Sequence, residues 1–292
     1  MKKIDRRDFL KYTAAVTAGA GMLEASLAGA EQSSQHTCLK AVQFQMLPGE
    51  LSDSEKFKLA VRCGFKGVEA MPLESLDAAR KQADAAHDAG VDIHSVLYGW
   101  WPDFLGEEAT AKKSLAEMEH ALRCAKAMRA DTVLLVPTRV TEDYAYGRAY
   151  DDSQMLIRTL IPLAEELQVT IAVENVWNKF LLSPLEFARY IDAFKSPWVR
   201  AYFDVGNVII HGFAQDWILT LGSRIAKIHL KDFKRSNYQW MPLGEGDVNW
   251  PRVSEALAKI GYKGYLTPEV NGGDEAYLTD LAKRIDRLVV SS

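Results

Sequence analysis

From residue 39 to the C-terminus the chain alternates between short apolar runs and longer amphipathic ones, with nothing interrupting the order. The strand-like runs are residues 40–45, 67–70, 91–97, 132–136, 170–174, 201–204, 226–229 and 265–269. Between them lie helix patterns at 52–64, 73–89, 107–130, 151–167, 183–194, 213–222 and 251–261, and a last one at 274–290. Helix punctuation supports these limits. Ser52 with Glu55 reads as a capping box, and Ser183-Pro184-Leu185-Glu186 joins an N-cap to a first-turn proline and a capping-box glutamate. Gly90 and Gly261 stand where helices stop. Residues 234–249 read as one long polar loop. Eight strand–helix units in strict alternation, over roughly the ~250 residues usual for a (β/α)8 barrel, predict an α/β fold with a single TIM-barrel domain at 39–292. A doubly wound open sheet is the alternative. It lacks its main support, because no Gly-x-Gly-x-x-Gly follows the first strand.

The ends of four successive strands carry the chemistry: Glu174, Asp204, His229 and Glu269. Strand ends converge on one face of a parallel barrel, so three carboxylates and an imidazole would meet there. Hard oxygen donors with one imidazole suit Mn²⁺ or Mg²⁺ better than a structural zinc. A cation so held can chelate a carbonyl and its neighbouring hydroxyl, acidify the C–H between them and stabilise an enediolate. Glu174 and Glu269, from the fifth and eighth strands, could flank such a substrate, one removing a proton and the other returning it. A charged residue often does no more than end a strand, but four in one register on consecutive units make a pattern.

The first 30 residues stand apart. They hold five Lys/Arg and three Asp/Glu, which leaves 30 basic against 36 acidic residues in the remainder. That acidic body is ill suited to gripping a phosphate backbone, so no nucleic-acid partner is expected. Asp5-Arg6-Arg7-Asp8-Phe9-Leu10-Lys11 resembles a twin-arginine export signal, followed by a weakly apolar Ala/Gly-rich run and a small-x-small cleavage site at Ala28-Gly29-Ala30. The expectation is a signal peptide at 1–30, a flexible leader at 31–38 and an exported, periplasmic product cut near Ala30. The twin-arginine export machinery, which carries folded proteins, is then a partner. The run is too weak for a stable membrane span. Three cysteines, Cys38, Cys63 and Cys124, cannot all pair and lack metal-type spacing.

Val173-Glu174-Asn175, Phe203-Asp204-Val205-Gly206-Asn207, Lys227-Ile228-His229-Leu230-Lys231-Asp232 and Pro268-Glu269-Val270 resemble the xylose-isomerase-like TIM barrels. Gly64-Phe65-Lys66-Gly67-Val68-Glu69 and Leu243-Gly244-Glu245-Gly246-Asp247-Val248-Asn249-Trp250 resemble two further segments of that superfamily. It includes sugar isomerases and epimerases and also dehydratases. The resemblance implies that Glu174, Asp204, His229 and Glu269 bind one Mn²⁺, Mg²⁺ or Co²⁺, with the two glutamates as the acid/base pair. It also implies that Arg235 contacts substrate. The chain departs from the ketose 3-epimerases of this group at Asn207, where they often have histidine, and at Phe180, where they have a second acid.

Other residues are weaker candidates for substrate contact. Lys231 and Asp232 follow the histidine and either bind substrate or form a salt link. Trp100, Trp101 and Trp177 follow strands and could offer an apolar platform to a sugar ring, although barrel tryptophans more often serve packing. Glu69 ends the second strand and either meets substrate hydroxyls or caps a loop, and His94 in the third is a site residue or a satisfied core histidine. Gly244 to Gly246 reads as a turn rather than a phosphate cradle. The leading expectation is an exported, metal-dependent isomerase or epimerase acting on a carbohydrate or small hydroxy-carbonyl compound. The alternatives are a lyase or dehydratase on keto-sugars or 3-keto-glycosides, a non-catalytic sugar-binding protein and a nucleic-acid endonuclease.

Overall fold

The computed structural model describes residues 38–290, so the signal at 1–30 and the leader, apart from Cys38, lie outside the described residues. The strands are β1 (Leu39–Gln43), β2 (Gly67–Ala70), β3 (Asp92–Trp100), β4 (Thr132–Val136), β5 (Thr170–Glu174), β6 (Val199–Asp204), β7 (Ile225–Leu230), β8 (Asp232–Lys234), β9 (Gln239–Met241) and β10 (Tyr265–Pro268). Strands β1 to β7 and β10 close a parallel barrel in chain order, and β8 and β9 form a separate antiparallel hairpin. The seam is β1 against β10, with Leu39 opposite Tyr265 and Lys40 opposite Leu266.

Eight α-helices surround the barrel among the described residues: α1 (Asp53–Arg62), α2 (Leu76–Ala89), α3 (Glu108–Ala127), α4 (Tyr146–Leu167), α5 (Pro184–Asp192), α6 (Ala214–Leu221), α7 (Trp250–Lys259) and α8 (Glu275–Ile285). Each lays an apolar stripe on the strands. Phe57, Met118, Leu160, Phe187, Ile218, Leu257 and Leu278 are among the side chains this buries. The barrel interior holds a much smaller apolar cluster of Leu97, Leu134, Val136, Ala172 and Tyr202. Polar side chains from the same strands occupy the rest, and the site is built from them.

The capping box at Ser52 forms in full, with the Glu55 carboxylate accepting from the Ser52 amide. At α5 only half of the expected box forms. Ser183 accepts from the Glu186 amide, but the Glu186 carboxylate accepts from the Leu182 amide and the Tyr146 hydroxyl instead of reaching Ser183. That tyrosine also explains why α4 begins at 146 rather than 151: its hydroxyl accepts from the Leu181 amide, pinning the first turn to the next loop. The first strand ends at Gln43 in a 3-10 turn, and the third runs on to Trp100 past a shift in register beside Gly99, whose φ of +92° suits glycine. The stretch 234–249 is not one loop. Asp232 pairs with Met241 and Lys234 with Gln239, so its first part continues a hairpin standing beyond the end of β7.

Candidate metal centre and active site

Side chains alternate along a strand, so Tyr202 and Asp204 share one face of β6, and Lys227, His229 and Lys231 one face of β7 and its extension. Asp204 lies directly opposite His229 in the ladder, and Thr267 of β10 flanks His229 from the other side. Glu174 ends β5 level with Tyr202, and the Glu269 amide donates to the Leu230 carbonyl just past β10. Glu174, Asp204, His229 and Glu269 each offer a ligand atom, and these atoms all lie within 4.8 Å of one another. His229 Nδ1 is 2.9 Å from Glu174 Oε1 and 3.1 Å from Glu269 Oε2. Lys231 Nζ lies 2.7 Å from Glu269 Oε2 and 3.6 Å from Asp204 Oδ2.

Behind this cluster stands Glu69. It is fully buried, and its Oε2 lies 2.9 Å from His229 Nε2 while its Oε1 accepts from the Tyr202 hydroxyl. Glu69 therefore braces the imidazole from within the barrel and does not face the open end, where substrate hydroxyls would be met. His94 is deeper still, stacked on Tyr265 at 4.1 Å, with its Nε2 3.3 Å from Thr267 Oγ1 and 3.8 Å from Glu69. Burial, helped by the positive charges of Lys227 and His229, holds His94 well below the usual histidine range. It sits among barrel-interior groups as a neutral ring.

Asn175 and Asn207 set the position of Asp204. Asn175 donates to the Asp204 carbonyl and accepts from its amide, both at 2.9 Å. Asn207 donates its amide to Asp204 Oδ1 at 2.7 Å and its side chain to the Asn175 carbonyl. Gly206 lies against the Lys231 backbone, where any Cβ would collide, and this brings the end of β6 close to Lys231. Arg235 is tied to the loop after β6, with Nε donating to the Ile209 carbonyl at 2.6 Å and an Nη to that of Gly212 at 3.0 Å. Asp232 organises the turn that follows: its carboxylate accepts from the amides of Phe233, Gly244 and Val248 and from the Trp250 indole. Trp101 is buried, with its indole on the Ser114 carbonyl, whereas Trp100 is half exposed under Arg139. Trp177 stacks at 4.9 Å on Trp240 of the hairpin.

The charge count favours a cation. Four carboxylates, those of Glu69, Glu174, Asp204 and Glu269, face one imidazole and one ammonium, mostly buried, and buried charge is disfavoured unless compensated. Asp204 Oδ2 is buried without a hydrogen-bond partner. Burial pushes Glu174 up to about 7, against the pull of His229. Burial also raises Asp204, with Lys231 opposing it. Burial disfavours a charged His229, but Glu69 and Glu174 outweigh it and carry the ring well above its usual range. For Glu269, burial pushes upward, and His229 with Lys231 overcomes it to bring the carboxyl down to about 2. The two glutamates of the site thus differ in acidity in the metal-free protein. The donor set fits a divalent metal such as Mn²⁺ or Mg²⁺.

A family model described as xylose isomerase-like TIM barrel matches residues 57–288. The chain belongs to that family. Residues 3–22 match the signal sequence of the twin-arginine translocation pathway, a signal for export. L-ribulose-5-phosphate 3-epimerase UlaE of Salmonella paratyphi A is 28% identical over 252 residues, covering 80% of this chain and 87% of that protein. Among solved structures, a D-psicose 3-epimerase crystallised with D-fructose superposes with a TM-score of 0.71 at 16% identity, covering 87% of this chain and all of that one. The 3-keto-D-glucoside 4-epimerase YcjR of E. coli gives 0.72 at 16% identity, covering 86% and 99%. These two likenesses speak for the fold. Among the described residues, no helix is long and apolar enough to cross a membrane.

Sequence reasoning missed Tyr202 and Trp240. Tyr202 was accessible to it, since a residue two before Asp204 on a strand shares its face. Trp240 was not, because nothing in the polar stretch 234–249 signals a hairpin.

Proposed function

We propose that this protein is an exported, divalent-metal-dependent isomerase or epimerase acting on a sugar or small hydroxy-carbonyl compound, working outside the cytoplasm after its signal is cut near Ala30. The observation that carries the proposal is the convergence of Glu174, Asp204, His229 and Glu269 within 4.8 Å at the C-terminal ends of consecutive strands. The epimerases among its relatives support the sugar substrate. Glu174, Asp204, Glu269 and His229 Nδ1 would hold the ion, Mn²⁺ in the first instance, with Mg²⁺ or Co²⁺ in its place. Bound there, the metal supplies Lewis-acid polarisation of a carbonyl and the hydroxyl beside it.

The chain's own residues do the rest. Glu174 and Glu269 stand on strands separated by β6 and β7, so they approach a substrate between them from different sides. Glu174, buried at the end of β5, can take or return a proton at its carboxyl oxygen on one side of the substrate. Glu269, 2.7 Å from Lys231, is the second carboxylate of the pair and takes or returns a proton from its own side. Lys231, raised by Asp204 and Glu269 although burial opposes it, stays charged and orients oxygen atoms of the substrate. Glu69 fixes the imidazole so that Nδ1 faces the open end. Asn207 and Arg235 order the loop that borders the substrate.

A screen of free and oxidised sugars with added Mn²⁺, read by NMR in deuterated water, tests the proposal. Uptake of deuterium at one carbon with conserved substrate mass is the expected result. Loss of a fragment would mean elimination, and no exchange with any sugar by a metal-loaded protein would refute the proposal.

A further inference from the structure

The hairpin beyond β7 brings an aromatic wall to the rim of the site. Trp240 stacks on Trp177 at 4.9 Å and 26°, Tyr238 leans on Trp177 at 5.7 Å, and Phe233 closes the group edge-on from below. Three of the four rings stay open to solvent, Trp177 at 39%, Trp240 at 46% and Tyr238 at 62%, whereas Phe233 is buried. The wall is joined to the reacting groups by one side chain. Lys231 Nζ lies 5.4 Å from the centre of a Trp240 ring and 2.7 Å from Glu269 Oε2. Trp240 and Glu269 also line one continuous cavity of about 830 Å³. A free ketose would fill only part of that volume.

Charge decides what sort of molecule fits. Every cation described around this cavity already has its anion or carbonyl. Lys231 is held by Glu269 and Asp204, and Arg284 by Asp280 and Glu245; Arg235, which does not line the cavity, is held by two backbone carbonyls. The Gly244–Val248 turn does not offer its end amides to a phosphate, because the Asp232 carboxylate accepts from those of Gly244 and Val248 itself. The Asp274 side chain caps the start of α8, the helix whose Tyr277 and Asp280 line the cavity, adding negative charge where a helix would attract an anion. A phosphorylated sugar therefore finds no unpaired cation among the described residues that line this cavity, while the C–H face of a sugar ring finds the Trp240 indole.

We infer that the site takes an uncharged glycoside, with the reacting unit at Glu174 and Glu269 and a second ring on the Trp177–Trp240 wall. This rests on the sugar reading proposed above and separates the chain from relatives named for a ketose phosphate. Tryptophan fluorescence of the Mn²⁺-supplemented full chain tests it, with cellobiose, phenyl β-D-glucopyranoside, D-fructose and D-ribulose 5-phosphate as probes. The two glycosides should bind about tenfold more tightly than D-fructose, and the phosphate ester no more tightly than D-fructose. Trp240→Ala should lose about that tenfold for the glycosides and Trp240→Phe should keep most of it, since a benzene ring still packs. Tightest binding by D-ribulose 5-phosphate, glycoside affinity indifferent to Trp240→Ala, or no glycoside binding would each overturn the inference. Deuterium exchange keeps the two readings apart. Glycoside binding without exchange into any sugar strikes at the reaction, whereas exchange into a ketose without glycoside binding strikes only at the wall.

Discussion

Glu69 never touches the open end of the barrel, yet replacing it should be felt at the metal. In Glu69→Gln the shape survives and the charge does not. The new amide has one acceptor oxygen for two donors, His229 Nε2 at 2.9 Å and the Tyr202 hydroxyl, and its NH₂ must face one of them. The imidazole loses the carboxylate that orients it and makes it more basic, the role that outer carboxylates play behind metal-bound histidines. Loss of such a partner costs about 10–100-fold in metal affinity, or about 1.4–2.7 kcal/mol. Glu69→Ala should do more, leaving two buried donors unpaired at about 1–3 kcal/mol each in addition to a void. Calorimetric titration with Mn²⁺ reads the first effect, and urea unfolding of the metal-free protein reads the second. A Glu69→Gln protein that binds Mn²⁺ like the parent, with unchanged stability, would refute the assignment of Glu69 as the brace of His229.

Four shorter predictions follow from the same geometry. Asp204→Ala should abolish stoichiometric Mn²⁺ binding in calorimetry, since Asp204 keeps a fully buried oxygen that accepts no hydrogen bond. Glu174→Gln and Glu269→Gln should each cut turnover by about 10²–10⁴-fold, with metal content measured in each; a fully metallated Glu269→Gln enzyme of parental rate would move the proton transfer elsewhere. Metal must displace the proton shared by Glu174 and His229. With Glu174 raised to about 7 and His229 held well above its usual range, Mn²⁺ affinity should climb as pH rises through 7 and go on climbing above it, with proton release visible in buffers of different ionisation enthalpy; a flat profile would contradict this. Replacing Arg6 and Arg7 together by Lys should leave the precursor in the cytoplasm, because the pair is read by a receptor and not as bulk charge; cell fractionation checks it.

The order of strands and helices was legible because each unit carries its own punctuation. Ser52 with Glu55, Gly90 and Ser183 mark helix ends through contacts within a few residues. The convergence of Glu174, Asp204, His229 and Glu269 followed from topology alone, since a parallel barrel sends every strand end to one face. What escaped depended on contacts distant in sequence. Glu69 reads as another strand-end acid until its distance to His229, 160 residues on, is known. The start of α4 is set by a tyrosine bonding 35 residues away, and the hairpin after β7 is held by Asp232 reaching forward to Trp250. The Trp177–Trp240 contact also joins two separate loops, so period and composition could not place it.

The seam between β1 and β10 bears on how the chain reaches its destination. Leu39 meets Tyr265, 226 positions later, so the sheet has two bare edges until the last strand is made. Such a contact is the slowest kind to form, and bare parallel strands invite pairing with other chains. A transport route that waits for finished cargo spares the protein that exposure. The Lys40–Asp286 and Arg62–Glu275 pairs, at 2.5 and 2.8 Å, then act as clasps that tie the first strand and helix of the barrel to its last helical segments once synthesis is over. Cutting the gene at any internal loop and fusing the original ends would move that slow joint, and with it the moment at which the protein becomes fit to travel.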